Sequence, residues 1–110
     1  MKTITSVTKV FDTTCGSAYN VTEQEYNLLI VKAKINHLSD VLKKRGILFL
    51  NDAYLEMGFP LTREGQKLGW FYDEIGFRVN YGTIVHSNMV EVTFTNLRNV
   101  LNKLPSEDEL

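Results

Sequence analysis

The clearest hydrophobic pattern lies in the first half of the chain, where apolar residues recur at alternating intervals of three and four. This spacing is typical of one face of an amphipathic helix. The positions of this main stripe are Leu28, Val31, Ile35, Leu38 and Leu42. Thr22 and Glu25 fit a capping box, Val21 and Tyr26 fit a hydrophobic staple, and Gly46 follows a basic turn that suits the negative end of the helix dipole. The sequence therefore predicts a long helix from Thr22 to the residue before Gly46.

This stripe has two interpretations. It can cover a sheet of the same domain, or it can pair with a second copy, since intervals of three and four also occur in coiled coils. Ile30, Ala33 and Val41 broaden it. The pattern falls short of the roughly three heptads that argue for a coiled coil, so packing on the chain's own sheet is favoured. In the second interpretation, Leu28 and Ile35 are the candidate contacts of a homodimer.

Shorter patterns outside this helix predict strands. Thr3–Phe11 is rich in Thr, Val and Ile, and Val90–Phe94 alternates apolar and polar residues. Trp70–Tyr72 and Phe77–Tyr81 are expected to be two strands joined by a turn. The apolar run Ile47–Leu50 is either a short buried strand or the approach to the next helix.

Two further regions predict helices. From Asn51 to Leu68, the glycines and the proline lie where helix ends need them, which indicates an elbow of two short helices with Asn51 or Asp52 and then Thr62 as caps. A final helix is expected from Thr95 or Asn96 to Leu104. Its inner face would consist of Leu97, Val100, Leu101 and Leu104.

Together these elements predict an α+β fold. A long helix in the N-terminal half and a C-terminal helix would pack on one small antiparallel sheet of about three to five strands, with the two-helix elbow between them. We expect a single globular domain over residues 1–104. Residues 105–110 would form a flexible acidic tail.

Composition places the chain among globular proteins. Its 110 residues are 44% apolar with a formal net charge of −1, which suits one domain and excludes a disordered chain. The single cysteine, Cys15, allows no intramolecular disulfide.

The first ten residues lack the apolar core of a signal peptide, and no apolar run reaches the roughly 18 residues that span a bilayer. We therefore expect a cytoplasmic protein that does not enter the membrane.

A mild basic bias in the middle of the chain makes nucleic acid a candidate partner. From Lys32 to Lys67 the chain holds seven basic and four acidic residues, far short of the surface of a dedicated DNA-binding domain. Tyr54, Trp70 or Tyr72 could stack on bases. The alternative is that basic residues complement the dipole at a helix end. The candidate contacts are Lys43, Lys44, Arg45, Arg63 and Lys67.

The sequence offers little support for catalysis. Cys15 with His37 or His86 is a conceivable pair of nucleophile and base, but nothing in the sequence brings these residues together. The same three residues lack the close ligand spacing of zinc sites. The motifs of phosphate-binding loops and nucleophile elbows do not occur. We therefore expect no enzyme activity, no metal site and no cofactor.

Three adjacent aromatic residues, Trp70, Phe71 and Tyr72, lie in a predicted strand. Neighbouring side chains of a strand point to opposite faces, so the three rings cannot all enter one core. At least one large aromatic side chain is therefore expected at the surface or at a subunit contact, where such residues often anchor interfaces. A loop that covers the outward ring is the alternative. Trp70 and Tyr72 are the candidate contacts.

One stretch resembles a pattern in small uncharacterised proteins encoded by phages and mobile elements of Gram-positive bacteria. The matching residues are Asn51–Tyr54, Met57–Pro60, Thr62, Gly65 and Gly69–Trp70. The resemblance implies a phage or mobile-element origin and supplies no catalytic residues. Because no site chemistry is visible while an aromatic cluster and a long apolar helix are, we expect a non-enzymatic protein-interaction module that self-associates as a homodimer, an accessory protein of a phage or mobile element. A small nucleic-acid-binding regulator is the alternative.

Overall fold

The computed structural model describes residues 6–20, 22–73 and 76–101. Within these ranges the chain forms two α-helices and six strands, with 3₁₀ turns at Thr13–Ala18 and Glu64–Gln66. The expected acidic tail and the first three residues of the predicted strand Thr3–Phe11 lie outside the described residues. In chain order the elements are β1 (Val7–Phe11), α1 (Gln24–Arg45), β2 (Ile47–Phe49), α2 (Leu50–Met57), β3 (Leu68–Phe71), β4 (Arg78–Thr83), β5 (Val90–Thr95) and β6 (Arg98–Asn99).

The strands form two antiparallel sheets of three, which corrects the prediction of one small sheet. The first sheet has the order β1-β5-β4, and the second has the order β2-β3-β6. β3 and β4 follow each other in sequence but belong to different sheets. The apolar run Ile47–Leu50 contains both of the elements considered for it, because β2 is followed at once by the first residue of α2.

The long helix is present, although its start differs from the predicted capping box. α1 begins at Gln24, and the backbone N–H and hydroxyl of Thr22 both donate to the Asn20 side-chain oxygen at 2.8 Å. The Thr22 N–H and hydroxyl therefore belong to a local turn with Asn20, and Thr22 does not cap the N-terminus of α1. The end is as predicted, since Gly46 adopts a φ of 81° and donates to the Leu42 carbonyl at 2.7 Å.

The main stripe of α1 faces the domain's own core. Val31, Leu38 and Leu42 are buried, and Leu28 and Ile35 are partly buried against the same cluster. This arrangement agrees with the first interpretation of the stripe, in which it covers a sheet of the same domain.

The centre of the core is aromatic and joins the two sheets. The Trp70 ring of β3 lies 6.1 Å from the Phe94 ring of β5, which in turn contacts Tyr54 of α2 edge-on at 5.8 Å. The indole N–H of Trp70 donates to the Thr95 carbonyl at 2.7 Å. Because Trp70 is wholly buried, this hydrogen bond satisfies a donor that would otherwise be costly to bury.

The elbow contains one α-helix rather than two. α2 ends as predicted at Gly58. Its N-terminus is capped by a residue of its own first turn, because the Asp52 carboxylate accepts the Phe49 N–H at 3.0 Å. The second predicted helix is reduced to the 3₁₀ turn Glu64–Gln66, where the Thr62 hydroxyl accepts the Gly65 N–H at 2.9 Å. Gly69, the residue that follows the predicted elbow, lies inside β3.

The predicted C-terminal helix from Thr95 or Asn96 to Leu104 is wrong for the residues described. Asn96 adopts a left-handed φ of 59°, and β6 then pairs with β3 through Leu68↔Asn99 and Gly69↔Arg98. The N–H groups of the next two residues donate to the Lys67 carbonyl. Backbone groups that would form hydrogen bonds within a helix are thus paired instead with β3 and with Lys67, the residue before β3. Residues 102–104 lie outside the described residues.

Candidate interaction surface

A second apolar stripe runs along the outward side of α1. We call Tyr26, Leu29 and Ala33 the outward stripe; their spacing places them on one side of a helix. Tyr26 is 48% exposed, Leu29 is 65% exposed and Ala33 is also exposed, whereas the neighbouring Ile30 is partly buried against the core. α1 therefore carries apolar residues on two sides, one covered by the core and one open to solvent.

The N-terminal end of α1, which presents the outward stripe, is fastened to two loops. The Asn27 amide nitrogen donates to the carbonyls of Asn20 and Asn88 at 2.7 and 2.8 Å, and its oxygen accepts the Asn20 N–H at 2.7 Å. The Gln24 amide donates to the Ser87 carbonyl at 2.7 Å. Since Asn27 is fully buried, these hydrogen bonds fix the rotation of the helix and hold Tyr26 and Leu29 outward.

The middle of α1 is fastened to α2 by a polar contact. The Lys34 ammonium donates to the Glu56 carbonyl at 2.7 Å and lies 3.4 Å from its carboxylate. His37 lies 3.6 Å from the same carboxylate. A cation beside the last carbonyls of α2 also complements that helix's dipole. His37 is therefore placed in a structural contact between the helices.

Cys15 has the environment of an unreactive thiol. It is buried, and its Sγ lies 3.9 Å from the Val10 carbonyl. Burial raises the pKa of the Cys15 thiol, whereas nucleophilic cysteines have a lowered pKa. Over the described ranges, no group of three or more His, Cys, Asp and Glu residues is arranged to hold a metal ion.

The aromatic run Trp70–Tyr72, which begins in β3 and ends one residue after it, divides between core and surface. Trp70 is fully buried and Tyr72 is 60% exposed, so the two candidate contacts have opposite surroundings. Phe71 lies between these extremes, with the Arg98 guanidinium 5.2 Å from its ring. The expectation of at least one exposed large aromatic side chain is thus met by Tyr72.

Three of the basic candidates lie in the last turn of α1, near the first turn of α2. Lys43 and Lys44 are exposed, and Arg45 lies 3.5 Å from the Asp52 carboxylate. The Tyr72 N–H donates to the Gly46 carbonyl at 3.1 Å, which brings the backbone of this exposed residue next to the end of α1.

The other two basic candidates, Arg63 and Lys67, are exposed and flank the 3₁₀ turn Glu64–Gln66. Asn51 of α2 holds that turn by two hydrogen bonds to the backbone of Thr62, at 2.9 and 3.0 Å. Among the aromatic residues considered for base stacking, Tyr54 and Trp70 are buried, so Tyr72 alone of these three is accessible.

Sequence reasoning did not separate the outward stripe from the core stripe. Ile30 and Ala33 were both interpreted as a broadening of the core stripe; Ile30 does pack against the core, whereas Ala33 is exposed. Tyr26 was interpreted as part of a staple with Val21, which lies outside the described residues. The spacing of positions 26, 29 and 33 is itself helical and would have marked a second face. The signal was present, but it overlapped the stronger one.

These features define a small α+β domain with an open apolar face on its long helix. The chain belongs to a family of unknown function (DUF6353), whose model matches residues 1–104. Searches of curated proteins and of solved structures gave no match. In the part of the chain that the structure describes, neither helix has the length and apolar character needed to cross a membrane.

Proposed function

We propose that this protein is a non-enzymatic protein-interaction module that self-associates through the outward stripe of α1. The observation that carries the proposal is the joint exposure of Tyr26 and Leu29 on one side of an anchored helix. Exposed apolar patches on a rigid element mark contact sites in soluble proteins, and aromatic residues are common anchors there. The homodimer contact thus moves from Leu28 and Ile35, which face the core, to their outward neighbours.

A second copy is the partner that we favour because α1 is complementary to itself in charge. The exposed acids Glu23 and Glu25 lie at its N-cap and in its first turn, and its last turn bears Lys43 and Lys44. The buried thiol of Cys15 supports a non-enzymatic role. The resemblance of 51–70 supports an accessory role in a phage or mobile element, and the single cysteine suits the cytoplasm.

A matched pair of leucine substitutions tests the proposal. Leu29→Glu places a charge in the outward stripe, whereas Leu55→Glu changes a leucine that is 71% exposed on α2, outside the stripe. Sedimentation velocity over a hundredfold range of concentration would give the association state. We expect the native chain and Leu55→Glu to form dimers and Leu29→Glu to remain a folded monomer by circular dichroism.

Two results would overturn the proposal. One is a native chain that stays monomeric at the highest concentration, and the other is a Leu29→Glu variant that dimerises as well as the native chain. Equal losses in the Leu29 and Leu55 variants would also count against it, because the contact would then not lie on the outward stripe.

A nucleic-acid-binding regulator remains the second candidate, favoured by the contact that places Tyr72 beside the basic end of α1. Exposed aromatic and basic side chains together are typical of single-strand binding. Asp52 pairs with Arg45 and offsets part of this charge. We expect anisotropy with a labelled single-stranded oligonucleotide to show no micromolar binding at physiological salt. Binding that is lost in Lys43→Glu/Lys44→Glu and in Tyr72→Ala would reverse our preference.

A further inference from the structure

Opposite charges stand at the two ends of α1 on exposed positions. Glu23 and Glu25 lie at its start, and Lys43 and Lys44 lie at its end. None of these four side chains has an ion-pair partner in the described part of the chain. Two copies of α1 that pack side by side therefore meet like charges if parallel and opposite charges if antiparallel.

A third acidic residue on the outward side of α1 also distinguishes the two directions. Tyr26, Ala33 and Asp40 are separated by seven residues each, so they fall on one line along the helix. In a parallel pair, Asp40 would face Asp40 of the second copy. In an antiparallel pair centred on Ala33, each Asp40 carboxylate would face a Tyr26 hydroxyl, which can donate a hydrogen bond to it.

The centre of such a pair is also suited to close contact. Ala33 is the smallest side chain of the outward stripe and lies near the middle of α1. A small residue at the crossing point lets two helices approach to the short end of the usual spacing. With the crossing at Ala33, Leu29 of one copy would lie over the exposed side chains of Asn36 and His37 on the other.

We infer that two copies associate with their α1 helices antiparallel and crossing near Ala33, so that Glu23 and Glu25 of each copy approach Lys43 and Lys44 of the other. This inference rests on the proposed self-association through the outward stripe. It adds the direction of the helices, their register and the charged contacts that select them.

The helix dipole gives a competing reason for the same charges, since acids suit an N-terminus and bases suit a C-terminus. A charge exchange separates the two causes. Glu23→Lys/Glu25→Lys and Lys43→Glu/Lys44→Glu are each unfavourable for the dipole, and the fourfold variant that combines them is doubly unfavourable. In an antiparallel dimer, however, the fourfold variant regains opposite charges at every contact.

Sedimentation equilibrium on the native chain and the three variants, at about 50 mM salt where screening is weak, would test the inference. We expect each double variant to weaken dimerisation at least about tenfold and the fourfold variant to return to within a few-fold of the native dissociation constant. Urea unfolding of the same proteins reports the dipole effect separately, because it measures the stability of the fold.

The remaining outcomes have definite meanings. Double variants that dimerise like the native chain, or a fourfold variant weaker than both, overturn the antiparallel arrangement and leave self-association standing if Leu29→Glu is monomeric. A native chain that never dimerises overturns the proposed function and this inference together. If a double variant is unfolded, the Asp40→Lys variant gives the answer, since it relieves repulsion in a parallel dimer and weakens an antiparallel one by losing the contact with Tyr26.

Discussion

The side-chain amide of Asn27 donates a hydrogen bond of 2.8 Å to the backbone carbonyl of Asn88, which joins α1 to the loop between β4 and β5. Asn27 is the one polar residue that is fully buried among those described. Its remaining hydrogen bonds go to Asn20, so one amide closes two loops. The rotation of α1, and with it the exposure of the outward stripe, depends on this polar contact.

Replacing Asn27 by aspartate should destabilise the fold strongly. The carboxylate would place an oxygen against the Asn20 and Asn88 carbonyls, where the amide now donates. We expect a loss of about 3 kcal/mol in the free energy of unfolding, measured by urea denaturation. Asn36→Asp, at an exposed position of the same helix, should change it by less than about 0.5 kcal/mol. Similar losses in both variants would contradict the role given to Asn27.

Gly69 should tolerate no side chain, whereas Gly82 should accept one. A Cβ on Gly69 would collide with the Leu48 carbonyl oxygen across the β2–β3 pair, and one on Gly82 would meet open space. We expect Gly69→Ala to cost at least about 2 kcal/mol of unfolding free energy and Gly82→Ala to change it by at most about 0.5 kcal/mol. Thermal or urea unfolding of the two variants checks this. An equally stable Gly69→Ala protein would show that the two strands are less close than described.

The elements that the sequence predicted well are those in which local and tertiary signals agree. In α1, the apolar spacing, the basic last turn and Gly46 all favour the same helix, and the core then buries the same stripe. At the C-terminus they disagree. The spacing of Leu97 and Val100 fits a helix, but both residues are buried beside a short strand whose pairing with β3 is non-local. The periodicity of one segment cannot reveal its pairing with a strand that is distant in sequence.

The outward stripe was hidden for a related reason. An apolar pattern would bury Leu29 and expose Asn27, and the structure does the opposite because Asn27 closes two loops distant in sequence. Trp70 illustrates the reverse case. Strand alternation places Trp70 and Tyr72 on the same face, but β3 ends at Phe71, so Tyr72 is exposed while Trp70 is buried with a hydrogen bond to Thr95 that no local pattern contains.

Adjacent leucines of α1 should respond oppositely to the same substitution. Leu28 packs against the core, whereas Leu29 is 65% exposed. We expect Leu28→Glu to lower the free energy of unfolding by about 2–3 kcal/mol, because it buries part of a charged group. Leu29→Glu should change it by less than about 0.5 kcal/mol when unfolding is measured at concentrations too low for association. A stable Leu28→Glu protein would mean that α1 is rotated from the described orientation.

The two aromatic candidates Trp70 and Tyr72 should differ in the same way. Trp70→Phe removes the donor to Thr95 and part of a fully buried ring, so we expect a loss of about 2 kcal/mol in unfolding free energy. Tyr72→Phe alters an exposed ring and should be nearly neutral. Urea denaturation followed by circular dichroism measures both. Comparable losses would contradict the assignment of Trp70 to the core and of Tyr72 to the surface.

Alkaline pH should destabilise the fold partly through Cys15. Burial raises the pKa of its thiol, so the folded chain holds this proton at a pH where the unfolded chain, with a thiol pKa of about 8.5, begins to release it. The unfolded state then binds fewer protons, and stability falls as pH rises through that range. Urea unfolding at intervals from about pH 7.5 to 9.5 should show a steeper decline for the native chain than for Cys15→Ser, whose hydroxyl does not titrate. Burial also raises the pKa of Tyr54, but both proteins contain this residue, so its contribution is the same in each and does not affect the comparison. Parallel declines in the two proteins would show that Cys15 is not protected in the folded state.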